Sequence, residues 1–216
     1  MTDHTLPKTP RSRGRRYPER VHQSLAEIRA ALDAAPLAHI GYLHEGLPFV
    51  TPTFHWVSGD AVYWHGATAS RAMRASTAAE VCLTVTTLDG YVLARSAFHH
   101  SANYRSVMVF GKPRRLEDKA ERLEAMRAFM DRRFPGRWTQ LRDVSPQELK
   151  LTTILCLPIT EASVKARSGP PQDDAGDLGA SVWAGVVPVS SVLGKPIADL
   201  AGTGGTATGP LPVVAP

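Results

Sequence analysis

Only two cysteines occur in this 216-residue chain, Cys82 and Cys156, far apart and each inside an alternating apolar segment. That is neither a disulfide framework nor a CxxC redox pair, and it predicts buried thiols in a reducing compartment. No uncharged apolar run approaches the roughly 18 residues that a spanning helix requires, so no membrane segment is expected. The basic N-terminus is not followed by an apolar stretch of the signal-peptide kind, and the expected location is cytoplasmic. Aromatic residues make up 7% of the chain, and no strand interleaves them with Lys or Arg. This argues against an RNA-binding barrel. The eight histidines lack zinc spacing: His99 and His100 are adjacent, His39 and His44 sit around a hairpin, and no cysteine is near either pair. No metal site is expected. A Walker sequence and a GxSxG elbow are both missing. The run Gly202–Ala207 matches a dinucleotide fingerprint literally, but it neither follows a strand nor opens a helix, and the match is rejected.

What is present is enough apolar residue, 43%, for a sizeable core and one domain. The formal charge is +5, and +4 of it falls within the first 20 residues, so the basicity belongs to an arm and no nucleic-acid partner is expected. Residues 1–16 read as a disordered basic arm, 17–190 as the folded unit, and 191–216 as a flexible Gly/Pro-rich tail.

Leu25, Ile28 and Leu32 predict a helix between Val21 and Ala35, stopped by Pro36. The period then changes to two. Leu37–Leu43, Leu47–Val57 and Ala61–His65 read as strands joined by hairpins at Glu45-Gly46 and Ser58-Gly59-Asp60. A short helix over Thr68–Thr77 precedes a strand around Val81, Leu83 and Val85. Asp89-Gly90 is expected to turn the chain into another strand, with Tyr104–Leu116 following. Leu116, Ala120, Leu123, Met126, Met130 and Phe134 form a helical stripe read as core and not as a cofactor site. Ser145-Pro146 opens a short helix and Thr152–Thr160 is a last strand. The order predicts α+β, mainly β, built on an antiparallel sheet or barrel with flanking helices.

Three segments carry chemistry. In Tyr63–Arg74 a strand delivers His65 and Gly66 to a turn, and Ser70 and Arg71 fall near a helix start, an arrangement suited to an anion. The competing reading is that Thr68 or Ser70 merely caps the helix. In Arg95–Ser106 a donor-rich loop interrupts two strands, either for a ligand or as an exposed loop. In Thr51–Trp56, Pro52 within a strand pattern implies an edge whose backbone can meet a planar heterocycle, or a bulged edge strand with no ligand.

Taken in order, the blocks GYLHEGLPFVTPTFHW at Gly41–Trp56, VYWHGATASRAMR, LDGYVLARSAFHHSANYRSVMVFGKPRRLED, PGRW at Pro135–Trp138, EASVKARSGPPQDD and VWAGVVPV resemble the pyridoxamine 5′-phosphate oxidase superfamily of FMN-binding split barrels. More specifically they resemble its flavin-nucleotide-binding branch, close to the nitroimidazole-resistance reductases. The resemblance spans about Tyr17 to Val189. It implies a six-stranded split barrel, a homodimer, and FMN in a cleft at the subunit interface. It implies that Ser70 and Arg71 hold the flavin phosphate. Ala72 replaces the Lys of the oxidases, and Arg74 is the candidate substitute. Val50, Thr51, Pro52, Thr53 and Phe54 would run beside the isoalloxazine ring. Tyr104, Arg105 and Ser106 would contact flavin from the strand ending at Lys112. His65, with Gly66 beside it, would lie next to the flavin as the catalytic group, and Trp183 would close over it from the partner subunit.

The implied function is that of an FMN flavoprotein passing reducing equivalents from a small-molecule donor through flavin to a small-molecule acceptor. The alternatives are a non-catalytic flavin carrier or sensor, and a split barrel binding haem or deazaflavin. Pyridoxamine phosphate oxidation itself is disfavoured, because the C-terminal basic substrate motif of the oxidases is not found and the chain ends in an uncharged tail.

Overall fold

The computed structural model describes residues 4–197 and Asp199. Most of the expected C-terminal tail, including the look-alike Gly202–Ala207, lies outside the described residues. The elements run β1 (Val21–His22), α1 (Leu25–Asp33), β2 (Leu37–His44), β3 (Leu47–Ser58), β4 (Ala61–Ala67), α2 (Arg71–Ala78), β5 (Val81–Leu93), β6 (Ser101–Gly111), β7 (Arg114–Arg115), α3 (Lys119–Arg133), α4 (Pro146–Leu151), β8 (Thr152–Pro158), β9 (Ala162–Arg167) and β10 (Gly185–Pro188). Every strand pair is antiparallel, in the order β1-β9-β6-β5-β2-β3-β4-β8-β7, with β10 added beside β5. This is the expected mainly antiparallel α+β architecture.

Local chemistry explains the joints. Glu45 and Gly46 both take left-handed backbone, with φ of 52° and 77°, which turns β2 tightly into β3. The Ser24 hydroxyl accepts from the Glu27 N–H and starts α1. The Ser145 hydroxyl and the Glu148 carboxylate cap α4 reciprocally, as its Ser-Pro start predicted. Val21, assigned to the first helix by its pattern, belongs instead to β1 and pairs with Lys165.

Asp89-Gly90 does not reverse the chain. β5 runs straight through it with a register shift between Leu88 and Gly90. A side chain at Gly90 would stand about 3 Å from Val186 and the Val187 backbone, so the glycine is there to let β10 approach.

The main core lies inside the barrel, where alternating residues meet: Ile40 and Tyr42, Val62 and Trp64, Leu83 and Val85, Val107 and Val109, Leu155 and Leu157. Ile28 and Leu32 of α1 close one end. A smaller cluster on the other face of β4 and β8 joins Trp56, Ile154 and Cys156 to Leu116 and Ala125. This gives β8 apolar neighbours on both faces.

Residues 4–16, for which composition predicts disorder, lie against the barrel. Leu6 is buried in the main core, and its N–H donates to the Gln23 carbonyl at 2.9 Å. The Gln23 side chain donates to the carbonyl of buried Ser12 at 3.1 Å, and Arg11 pairs with Glu80 and Glu161. Composition averages over the arm, whereas one buried leucine and one paired arginine are enough to pin it.

Candidate functional site

From Leu47 to Phe54, β3 is paired on one side only, with β2; β4 takes up its other side from His55 onward. Pro52 lies in this half, opposite His39, and has no N–H with which to extend a ladder. The sequence reading of an open edge is therefore correct. β4 carries His65 and Gly66 past this edge, and the chain then enters α2. Neither hydroxyl expected to cap α2 does so. Thr68 donates to the Lys150 carbonyl at 3.1 Å, and the Ser70 side chain makes no capping bond. The first-turn amides of α2 are left for another acceptor, with the positive end of the helix behind them.

These elements enclose a cavity of about 100 Å³, in which Thr51, Pro52, Thr53, His65, Gly66 and Ser70 come together over Met73 and Ser76. The Ser76 hydroxyl is buried and has no hydrogen-bond partner among the described residues. A side chain at Gly66 would meet Met73 at 3.0 Å, so anything larger there has to push the methionine side chain aside. Thr53 donates to the His65 carbonyl at 3.4 Å and ties β3 to β4.

The other sequence-assigned residues are placed differently. Arg71 and Arg74 are exposed just beyond the cavity, and the Arg71 guanidinium lies over the Phe49 ring, 4.1 Å from its centre. Val50 and Phe54 are exposed and do not line this cavity. Tyr104 and Ser106 line a separate pocket on the far side of the sheet. Arg105 holds the Asp89 carboxylate with two bonds of 2.8 and 3.0 Å, which keeps that carboxyl below its ordinary pKa. Trp183 is 63% exposed, packs over Gly185 and does not line this cavity. Part of the donor set of Arg95–Ser106 is consumed internally, while Arg95 Nε and the Ser96 hydroxyl are buried without a partner among the described residues. Arg95 binds Asp173, and Asn103 donates to the Gly169 carbonyl, so this segment anchors the loop after β9.

A second cavity, of about 430 Å³, opens on the other side of His65. Its wall is apolar and aromatic: Trp56, Met126, Phe129, Met130, Trp138 and Leu141, with Arg142 and Glu148 also lining it. Arg142 and Glu148 are joined by bonds of 2.9 and 2.6 Å, which lower the Glu148 pKa to about 2. The Trp56 indole N–H is buried there without an acceptor among the described residues. The stripe read from the sequence as core thus lines this cavity: Met126 and Met130 face it, while Ala120 is exposed and Leu116 is buried in the smaller core. Its signals, the methionines and PGRW, were visible. A helical stripe shows which face is apolar and not whether its neighbours fill the space.

His65 lines both cavities. Burial pushes its pKa down, so the imidazole is neutral at pH 7, and it makes no side-chain hydrogen bond among the described residues. A neutral, unengaged imidazole between a polar slot and an apolar chamber can take a proton, orient a substrate or ligate a metal.

No curated protein matches the chain. Among solved structures it is similar to the flavocytochrome Anf3 from Azotobacter vinelandii, with 42% identity, a TM-score of 0.89 and 94% of each chain covered. It is also similar to the FAD and haem binding protein from Mycobacterium smegmatis, with 35% identity, a TM-score of 0.83, and 88% of this chain and 94% of that one covered. A proposed 5-nitroimidazole antibiotic resistance protein from Bacteroides thetaiotaomicron shares the fold at 21% identity and a TM-score of 0.55, over 67% of this chain and 85% of that one. The family model described as pyridoxamine 5′-phosphate oxidase matches residues 24–166, two thirds of the sequence, and with its split-barrel fold the chain belongs to that family.

Proposed function

We propose that this protein is a flavin-dependent oxidoreductase in which a flavin and a haem occupy the two cavities on either side of His65. The observation that carries the reading is that one neutral imidazole borders both. When bound, the flavin supplies hydride and single-electron chemistry and the haem single-electron transfer.

The residues fit both groups. On the flavin side, the Ser70 hydroxyl and the free α2 amides suit the phosphate, and Arg71 can leave the Phe49 ring to add a charge-assisted bond. The unpaired edge of β3 offers backbone groups to the polar rim of the ring, and the Ser76 hydroxyl lacks only an acceptor or donor. The resemblance points to FMN, and the M. smegmatis relative is named for FAD. Both share the ring and first phosphate that these residues address. On the haem side, the chamber volume falls in the ordinary range for cofactor sites, roughly 300–1,000 Å³. His65 would ligate the iron, while Trp56, Phe129 and Met126 exclude water.

The flavin slot of about 100 Å³ is too small in one chain, and Leu47, Val50, Phe54 and Met108 expose apolar surface. Both favour a homodimer that completes the site. A small-molecule donor and acceptor complete the reaction. Among the described residues no helix is long and apolar enough to cross a membrane.

The test is the absorption spectrum of protein expressed with riboflavin and haem precursor supplied, followed by turnover with reduced nicotinamides and quinone or nitroaromatic acceptors. Flavin and haem bands together are expected. A colourless protein that takes up neither group on reconstitution ends this reading.

A further inference from the structure

The arm that composition assigns to solvent carries cations without counter-charges. Lys8, Arg13, Arg15 and Arg16 are exposed, and among the described residues they form no ion pair. Many arginines elsewhere are neutralised in place: Arg29 by Asp60, Arg105 by Asp89, Arg114 by Glu121 and Arg132 by Asp33. Even on the arm, Arg11 gives its charge to Glu80 and Glu161. Arg13, Arg15 and Arg16 border a concavity of about 480 Å³ against the outer face of β6 and β9, with Lys165 on its sheet side. Among the described residues no carboxylate lines it.

These charges are held in place. Leu6 and Ser12 are buried ahead of them, and the Gln23 side chain holds the Ser12 carbonyl. Gly14 passes so close to Val21 that a side chain would stand 2.7 Å from it, and the Lys165 ammonium donates to the Arg16 carbonyl at 3.4 Å. Like charges gathered on one face repel one another. An anionic partner relieves that repulsion, and the summed field draws it in.

We propose that this face docks an acidic protein that carries one electron at a time. A single-stranded nucleic acid would want a free aromatic platform, and the Tyr17 ring is engaged by the guanidinium groups of Arg16 and Arg20, 5.2 and 4.1 Å from its centre. A membrane surface would want an apolar wedge beside the charges, and Leu6 is turned into the core. A carboxylate-bearing protein surface needs only the cations and the concavity, and encounters between electron carriers are small and electrostatically steered.

The position suits electron entry, and here the inference rests on the flavin reading above. Ile40 lines the slot beside His65, Leu83 pairs with Ile40, and Val109 pairs with Leu83. Met108, the residue before Val109, lines the concavity under the arm. Two ladder steps amount to about 10 Å along the sheet, a short path for an electron through protein. In each encounter the carrier loses one electron and is oxidised, and the bound cofactor gains it and is reduced; no bond to the carrier forms. This is a second entry for electrons, beside the small-molecule donor.

The experiment compares wild type with Arg13→Glu/Arg15→Glu, and with Arg13→Lys/Arg15→Lys as a charge-preserving control. Urea unfolding checks that each keeps the fold, and Arg13→Gln/Arg15→Gln serves if the glutamates disturb the arm. The probe is a plant-type ferredoxin, an acidic one-electron carrier. Binding of the oxidised probe is measured by surface plasmon resonance at low and at physiological salt, and electron delivery from the reduced probe by stopped-flow absorption. Affinity and rate are expected to fall about tenfold or more in the glutamate variant, to be largely kept with lysines, and to drop with added salt. Binding that follows these charges in protein found to hold neither flavin nor haem upholds the surface and removes the flavin reading. A probe that does not bind, or that binds all variants alike, overturns the proposal whatever the cofactor content. So does charge-dependent binding without electron delivery to cofactor-loaded protein. A single-stranded oligonucleotide or a phosphatidylserine vesicle that binds wild type more tightly than ferredoxin at the same salt, and loses affinity in the glutamate variant, also overturns it.

Discussion

The His65 imidazole meets the Phe129 ring edge-on, with centroids 5.1 Å apart, and Trp56 stacks obliquely on both. This cluster joins the end of β4 to the middle of α3 and forms the partition between the two cavities. Of the residues lining the polar slot and the aromatic chamber, His65 is common to both.

If His65 is the iron ligand, His65→Ala removes the haem absorption band while flavin absorption persists. The spectrum of the purified variant measures both at once. Loss of the two cofactors together would show that the histidine supports the fold and does not divide the roles.

Arg71→Ala is expected to weaken flavin binding by about one to two orders of magnitude, the worth of a charge-assisted hydrogen bond to phosphate. Titrating apoprotein with flavin by fluorescence quenching gives the number. An affinity loss matched by His65→Ala would contradict the assignment of phosphate to one residue and redox work to the other.

Acid lability should trace in large part to His55. It is fully buried, its Nε2 bonded to the Leu32 carbonyl at 2.8 Å, and burial lowers its pKa from 6.5 to about 4. The unfolded chain takes up this proton near pH 6.5 and the folded chain only near pH 4, so the unfolded state binds more protons between those values. Stability therefore falls as pH drops from about 6.5 to 4 and levels off below. The full shift corresponds to on the order of 3 kcal/mol. Urea unfolding of His55→Gln across this window should show a shallower slope, and an unchanged slope would count against the assignment.

Leu6→Ala tests whether the arm is part of the fold. A leucine buried in the main core costs about 2–5 kcal/mol on truncation, whereas one in a free arm costs almost nothing. Chemical denaturation distinguishes the two outcomes.

The antiparallel architecture was legible because period-two segments and Gly-containing turns such as Glu45-Gly46 announce themselves locally. The polar half of the site was legible for the same reason: Pro52 marks an edge and Ser70-Arg71 a helix start. What escaped depended on distant partners. Gly90 looks like a turn until β10 is seen beside it. Met126 and Met130 read as core from their spacing, and they also line a chamber whose other walls, Trp138 and Leu141, lie on a separate segment. The arm looks unstructured because much of its order rests on Glu80 and Glu161, far away in sequence, and on Gln23 beyond its end.

The half-paired stretch of β3 carries a liability as well as a slot. A row of unsatisfied backbone groups beside exposed Val50 and Phe54 is a template on which another chain can lay a strand. Pro52 interrupts that template at its midpoint. Cofactor loading and protection from aggregation thus fall on the same few residues, and protein starved of flavin during expression should be the first to precipitate.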